Sequence, residues 1–295
     1  MSNASDSNEI TRRYYDSILL KSRYIDSDLP NMETTIFGRK FSTPIATAAL
    51  SHMNGTHEKG MRELAYGAKE ANAINFCGME SYEGEIDDIA SAGAATIRII
   101  KPHANNEDVF KRIEHAKEVG VFGVGMDIDH AFRWDGKYDV VEGLPMRPKT
   151  QKELESFVKA ADGLPFVVKG VLSVEDAKKC VEIGASGIIV SHHHGILPCS
   201  VPPVLALQEI KEVVKGKLTI FVDCGIESGL DAFKAMALGA DAVCVGRALM
   251  EPLKEGKDAV ANKINDMTCE MASVMAKCGY RSIDEIDDKC IYICK

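Results

Sequence analysis

Along this chain, short apolar runs alternate with longer stretches in which apolar side chains recur at helical spacing. The runs fall at residues 43–50, 74–79, 95–100, 122–129, 164–171, 187–192, 218–225 and 241–248. Most are nearly continuous in Val, Ile, Ala and Phe, as strands covered on both faces must be. Between them, residues 58–71, 106–119, 151–161, 174–183, 204–214 and 230–238 carry the helical period, and a last long helix is predicted over 257–277. Ahead of this alternation the pattern predicts a helix over 10–22, capped by Thr11, and a hairpin over 34–45 that turns at Gly38. Residues 1–8 are small, polar and without period, and are expected to form a disordered tail.

Strand alternating with helix eight times predicts a (β/α)8 TIM barrel, with the short N-terminal helix and hairpin as a prelude. A doubly wound sheet is the alternative, but no early Gly-x-Gly-x-x-Gly follows a strand. No linker or shift of composition divides residues 9–295, so a single domain is expected.

In such barrels the chemistry lies where strands end. Those positions carry Thr47 and Ala48, Cys77 and Met79, Arg98 and Lys101, Asp127 and Asp129, Lys169, Ser191 to His194, Asp223, and Gly246 with Arg247. Lys169 closes an apolar strand and must either reach solvent or meet an anion. Gly225, Gly229 and Gly246, with Arg247, fall in the loops after strands 7 and 8, where such barrels hold a phosphate through backbone N–H groups; a phosphate is expected there, with tight turns as the alternative.

Composition narrows the partners. A net charge of -9 without a basic patch excludes nucleic acid and anionic membranes as expected partners. No apolar run reaches the roughly 18 residues of a membrane span, and the N-terminus has no signal-peptide pattern, so a cytoplasmic location is expected. Among the nine cysteines, Cys77, Cys180, Cys224 and Cys244 stand singly in apolar surroundings as small hydrophobes, and Cys290 and Cys294 lack a second ligand pair. His192, His193 and His194 are consecutive, so on an extended segment they point to alternate sides and do not converge on one ion; no metal is expected.

Phe166-Val-Val-Lys-Gly-Val, Gly184-Ala-Ser-Gly-Ile-Ile-Val-Ser-His-His-His-Gly and Val222-Asp-Cys-Gly-Ile-Glu-Ser-Gly, with Val243-Cys-Val-Gly-Arg, resemble the FMN-dependent α-hydroxy acid oxidases and dehydrogenases, the glycolate oxidase and lactate oxidase group. The likeness covers nearly the whole chain. It implies FMN as cofactor, a small-molecule substrate and a homo-oligomer, a tetramer in this group. It implies proton removal from a CH–OH group by His193, supported by Asp129, with hydride passing to flavin N5. It also implies that Thr47, Ala48 and Ala49 run past the flavin, that Cys77, Arg98 and Asp127 lie near it, and that Lys169 faces N1 and O2. Ser191 would touch the ring, Asp223 the ribityl chain, and Gly225, Gly246 and Arg247 the phosphate.

The sequence departs from the group's pattern at informative places. Ile196 stands where a carboxylate-binding arginine belongs, and an isoleucine cannot replace a bidentate guanidinium. Ile100 stands at the place of a substrate tyrosine, Arg98 at that of a glutamine, and Glu227 at that of a phosphate-binding arginine. A changed substrate is therefore expected, with His52, Lys101, His130 and Arg133 as further residues facing it. A non-redox flavin-dependent isomerase, of the type 2 isopentenyl diphosphate isomerase kind, and a non-catalytic binder of a phosphorylated ligand are the alternatives.

Overall fold

A computed structural model of the chain describes residues 6–214 and 216–293. At its centre are eight parallel strands: β1 (Ile45–Thr47), β2 (Ile74–Cys77), β3 (Ala95–Ile100), β4 (Gly123–Asp127), β5 (Phe166–Val171), β6 (Gly187–Val190), β7 (Thr219–Val222) and β8 (Ala242–Val245). Their order is β1-β8-β7-β6-β5-β4-β3-β2, so each lies beside its neighbours in sequence. The ring closes between β1 and β2 through few bonds. Leu50 bridges Cys77, the Gly78 N–H donates to the Leu50 carbonyl at 2.8 Å, and the Phe76 N–H donates to Thr47 Oγ1 at 3.0 Å. This is the expected barrel, with helices around it.

Strand alternation sorts the side chains into two cores. Ala46, Phe76, Ile97, Ile99, Val167 and Phe221 point inward and fill the barrel, while their chain neighbours pack against the helices. The hairpin of Thr34–Ile36 and Arg39–Phe41 plugs the floor, turning through Phe37 and Gly38, both at positive φ. Phe37 lies 6.1 Å from the Phe221 ring and Phe41 6.0 Å from Phe122. At the opposite end, β5 carries a bulge between Lys169 and Val171, with Gly170 at φ +91°. A Cβ on Gly170 would lie 2.5 Å from Asp129 Cγ, so only glycine lets that carboxylate come this close.

Several elements differ from the sequence expectation, three of them informatively. The first helix spans Ser7–Ser17 with Asp6 as its N-cap, so residues 7 and 8, assigned above to the tail, form its first turn. Residues 18–20, expected to continue this helix, instead form a strand paired with Ile291–Ile293. A short helix, Glu85–Ser91, lies between β2 and β3; only Ile86 and Ile89 mark its buried face, too little to read as a period. The long helix, Lys257–Cys278, follows the predicted bounds closely. Its fit requires Gly229, where a Cβ would stand 2.1 Å from the Met267 carbonyl oxygen.

Phe41 is 1% exposed on the barrel floor. Phe41→Ala is expected to cost about 3–5 kcal/mol through lost burial and the cavity left behind, read as a lower midpoint in urea unfolding.

Candidate active site

A cavity of about 500 Å3 opens at the C-terminal mouth of the barrel. Its walls include Ala48, Ala49, Leu50, His52, Met79, Lys101, His130, Lys169, His193, Asp223, Gly225, Gly246 and Arg247, which are spread over all eight strand ends and their loops. Cys77, Arg98, Ile100, Arg133 and Ile196 are not among its lining residues. Parity explains three of these. On β3, Ile97 and Ile99 fill the barrel, so Arg98 and Ile100 face the helices, and Lys101 is the next inward position. Arg98 is buried against Glu80, which also holds Arg112 at 3.3 Å. Cys77 likewise belongs to the outer core. Thr47 turns outward too, with Oγ1 bonded to Asn75 Oδ1 at 2.8 Å, so its side chain seals the β1–β2 seam rather than facing the cavity. Arg133 is half-exposed and paired with Asp135 at 3.3 Å, and Ile196 is 42% exposed on the loop after β6.

The inward positions at the mouth alternate in charge. Lys101 Nζ donates to Asp127 Oδ2 at 2.6 Å, and Lys169 Nζ lies 3.7 Å from Asp127 Oδ1 and 3.9 Å from Asp223 Oδ2. All four residues are less than a tenth exposed. Burial pushes the Asp127 carboxyl up, but Lys169, His193 and Lys101 outweigh it and hold it well below the usual range. Burial likewise disfavours the charged Lys169, and Asp127 with Asp223 reverses this, so the ammonium persists.

His193 completes the group. It sits at φ +47°, a left-handed conformation unusual for histidine, and its N–H donates to Ser191 Oγ at 3.0 Å. Its Nδ1 is 2.8 Å from Asp129 Oδ1 and 3.2 Å from Asp127 Oδ1. Two carboxylates on Nδ1 fix the tautomer, leaving Nε2 as the ring nitrogen available for proton transfer. Burial lowers the imidazole's proton affinity, yet Asp127 and the two hydrogen bonds more than offset it and the pKa is raised. Asp129 is pushed up to about 6, by burial first and by Asp127 second. His130 stands edge-on to His193 with ring centroids 5.3 Å apart.

The other two histidines hold the loop to the N-terminal helix. His192 is buried, with Nε2 2.9 Å from Thr11 Oγ1 and Nδ1 accepting the Gly195 N–H at 3.1 Å. His194 Nδ1 lies 2.9 Å from Asn8 Oδ1, and Asn8 itself lines the cavity. Sequence reasoning missed Asn8, Cys224 and Met250 as wall residues. A signal for the first existed: Asp6 followed by Glu9 has the spacing of a capping box and would have started the helix before Asn8. Among the described residues, Asp127, Asp129 and His193 are the one group with spacing suited to an ion. Two neighbouring ammonium groups repel a cation there. Cys294, weighed above with Cys290, lies outside the described residues.

The family model described as FMN-dependent dehydrogenase matches residues 2–162 and 150–293. The chain belongs to this family. It is 27% identical to a 2-hydroxyacid oxidase of Dictyostelium discoideum over 93% of this chain and 79% of that protein. With a 4-hydroxymandelate oxidase of Amycolatopsis orientalis it shares 31% identity over 85% of this chain and 80% of the relative. The crystal structure of a mandelate oxidase superposes with a TM-score of 0.87 at 25% identity, covering 99% of this chain and 91% of that one. The protein is thus an FMN-dependent oxidoreductase acting on CH–OH groups. No helix among the described residues is long and apolar enough to cross a membrane.

The residues present fit FMN unevenly. Lys169 Nζ is a buried cation in the cavity wall with no hydrogen-bond partner, which suits the electron-rich edge of a flavin. Ala48, Ala49 and Gly246, all small, also line the cavity. The phosphate end is weaker: Glu227 and Arg247 oppose each other in charge there. The N–H groups of Glu227 and Gly229 already donate to Asp231 at 3.1 Å and to Glu270 at 2.7 Å, so Gly229 offers no phosphate contact. Glu227→Arg is expected to tighten FMN roughly tenfold while leaving riboflavin affinity unchanged, read by quenching of flavin fluorescence.

The raised pKa of His193 sets the pH dependence. Below that pKa the imidazole is protonated and cannot accept a proton, so kcat/KM for flavin reduction falls on the acid side, with a limb above the ordinary imidazole range. In Asp129→Asn one raising influence is lost. The limb moves to lower pH, and the rate at neutral pH drops on the order of 100-fold in stopped-flow measurements.

Proposed function

We propose that the protein oxidises a small hydroxy-acid-like substrate by proton removal at His193, with a specificity changed from that of its relatives. The observation that carries this reading is a histidine whose Nδ1 is held by Asp129 at 2.8 Å, beside a cavity that also presents Lys169. His193 Nε2 takes the hydroxyl proton. Asp129 and Asp127 stabilise the imidazolium that forms, because both already face Nδ1. Bound FMN supplies the acceptor for the two electrons that leave with the carbinol hydrogen. Lys169, Asp223, Ser191, Ala48, Ala49, Gly225, Gly246 and Arg247 would hold the cofactor. The half-exposed Ile196, in place of an arginine, supports a change of substrate, since no guanidinium enters the cavity from that loop.

Anaerobic mixing of the FMN-loaded protein with a panel of 2-hydroxy acids is expected to bleach the flavin absorbance. His193→Gln keeps its FMN and bleaches about 1000-fold more slowly. A wild-type protein that binds FMN but is bleached by no hydroxy acid overturns the reading.

A further inference from the structure

With the loop arginine absent, an acidic substrate needs another cation. Few are in position. Arg98 is turned outward onto Glu80, Arg133 is paired with Asp135 on the surface, and Arg247, in the loop after β8, lies beside Asn8, 3.4 Å away, and is assigned above to the cofactor phosphate. Lys169 lies between Asp127 and Asp223 in the wall suited to the flavin.

Lys101 differs from all of these. It is 8% exposed, lines the cavity, and follows β3 at an inward position. Its ammonium has three N–H donors, and among the described residues only Asp127 Oδ2 accepts one. Two of its donors therefore have no protein acceptor among the described residues, and because the residue lines the cavity a bound anion is able to take them.

We infer that Lys101 is the anchor for the acid group of a small 2-hydroxy acid, which it binds from the barrel wall instead of from the loop after β6. The inference rests on the oxidoreductase reading above. Asp127 provides the ruler: Oδ2 holds Lys101 at 2.6 Å and Oδ1 faces His193 at 3.2 Å. Anchor and base are thus both tied to one carboxylate, Lys101 through its ammonium and His193 through Nδ1, so that both border the same cavity in which the adjacent carboxylate and hydroxyl of a 2-hydroxy acid would lie. The remaining substituent then lies against Leu50, Met53, Met79 and Val141, which are apolar and suit an aliphatic or aromatic side chain.

The test uses the FMN-loaded protein and oxalate as a carboxylate probe, with binding followed by calorimetry and by the flavin difference spectrum. Lys101→Met is expected to weaken oxalate about 30-fold, the loss of a charge-assisted hydrogen bond, and to raise KM for the best hydroxy acid by a similar factor with a smaller effect on kcat. Lys101→Arg retains binding within a few-fold. Lys101→Gln, a neutral residue that can still donate to Asp127, is expected to bind oxalate nearly as weakly as Lys101→Met and decides the matter if that variant does not fold. Oxalate binding equal to wild type in the neutral variants overturns the anchor, as does a wild type that binds no carboxylate. If oxalate binding depends on Lys101 but no hydroxy acid bleaches the flavin, the anchor stands and the redox reading falls.

Discussion

The mouth of this barrel depends on a buried alternation of charge, Lys101, Asp127, Lys169 and Asp223, carried by strands that apolar packing holds in place. Isolated, any one of these groups would cost several kcal/mol to bury. Together they neutralise one another, and Asp127 is the pivot because Lys101, Lys169 and His193 all meet it. Removing that carboxylate would leave two ammonium groups opposed and the His193 imidazole short of a partner. The barrel strands supply the rigidity this requires. Gly125 lets β4 and β5 approach so closely that a Cβ would stand 2.1 Å from the Val167 carbonyl oxygen, and the Gly170 bulge brings Asp129 up to the same cluster.

The histidine run divides its labour in a way that follows from backbone geometry. His193 and His194 both adopt positive φ, so the segment turns sharply where a strand would have continued. Only His193 is thereby aimed at the carboxylates. His192 and His194 bond to Thr11 and Asn8, which ties the loop to the first helix. The same helix reaches the loop after β7, where Arg12 forms a bidentate pair with Asp231. Asp231 is also the acceptor for the Glu227 N–H, so the phosphate end of the cavity satisfies itself internally. A substituted glutamate and an occupied backbone donor point the same way: in the proposed site these residues would grip the cofactor at its ring more than at its phosphate.

Much of this was legible in the sequence because strands buried on both faces leave near-continuous apolar runs, and their polar ends mark the mouth. Lys169, Asp129, His193 and Asp223 could be placed from that alone, with roles supplied by resemblance. What was not legible was parity at a single strand. On β3, Thr96, Ile97, Arg98, Ile99 and Ile100 offer no alternation of polar and apolar residues, since both faces are buried, and a slip of one residue exchanges inside for outside. That slip brings Arg98 and Ile100 into the site on paper beside Lys101; of the three, only Lys101 lines the cavity. The N-terminal helix was obscured differently: small polar residues at its start look like a tail until the Asp6 cap is recognised.

Proton transfer and anion binding are joined by this arrangement. An acid group brought to Lys101 competes with Asp127 for the ammonium, and Asp127 is shared with His193. While His193 is neutral, Asp127 leans on Lys101 and Lys169 for its compensation. Once His193 has taken the hydroxyl proton, its positive charge sits 3.2 Å from Asp127 Oδ1, the carboxylate is better neutralised, and Lys101 is freer to hold the departing acid's charge. The anchor therefore strengthens as the reaction proceeds. On the proposed anchoring, that is binding energy delivered in the transition state rather than in the ground state, supplied by a buried lysine whose charge is little screened by water.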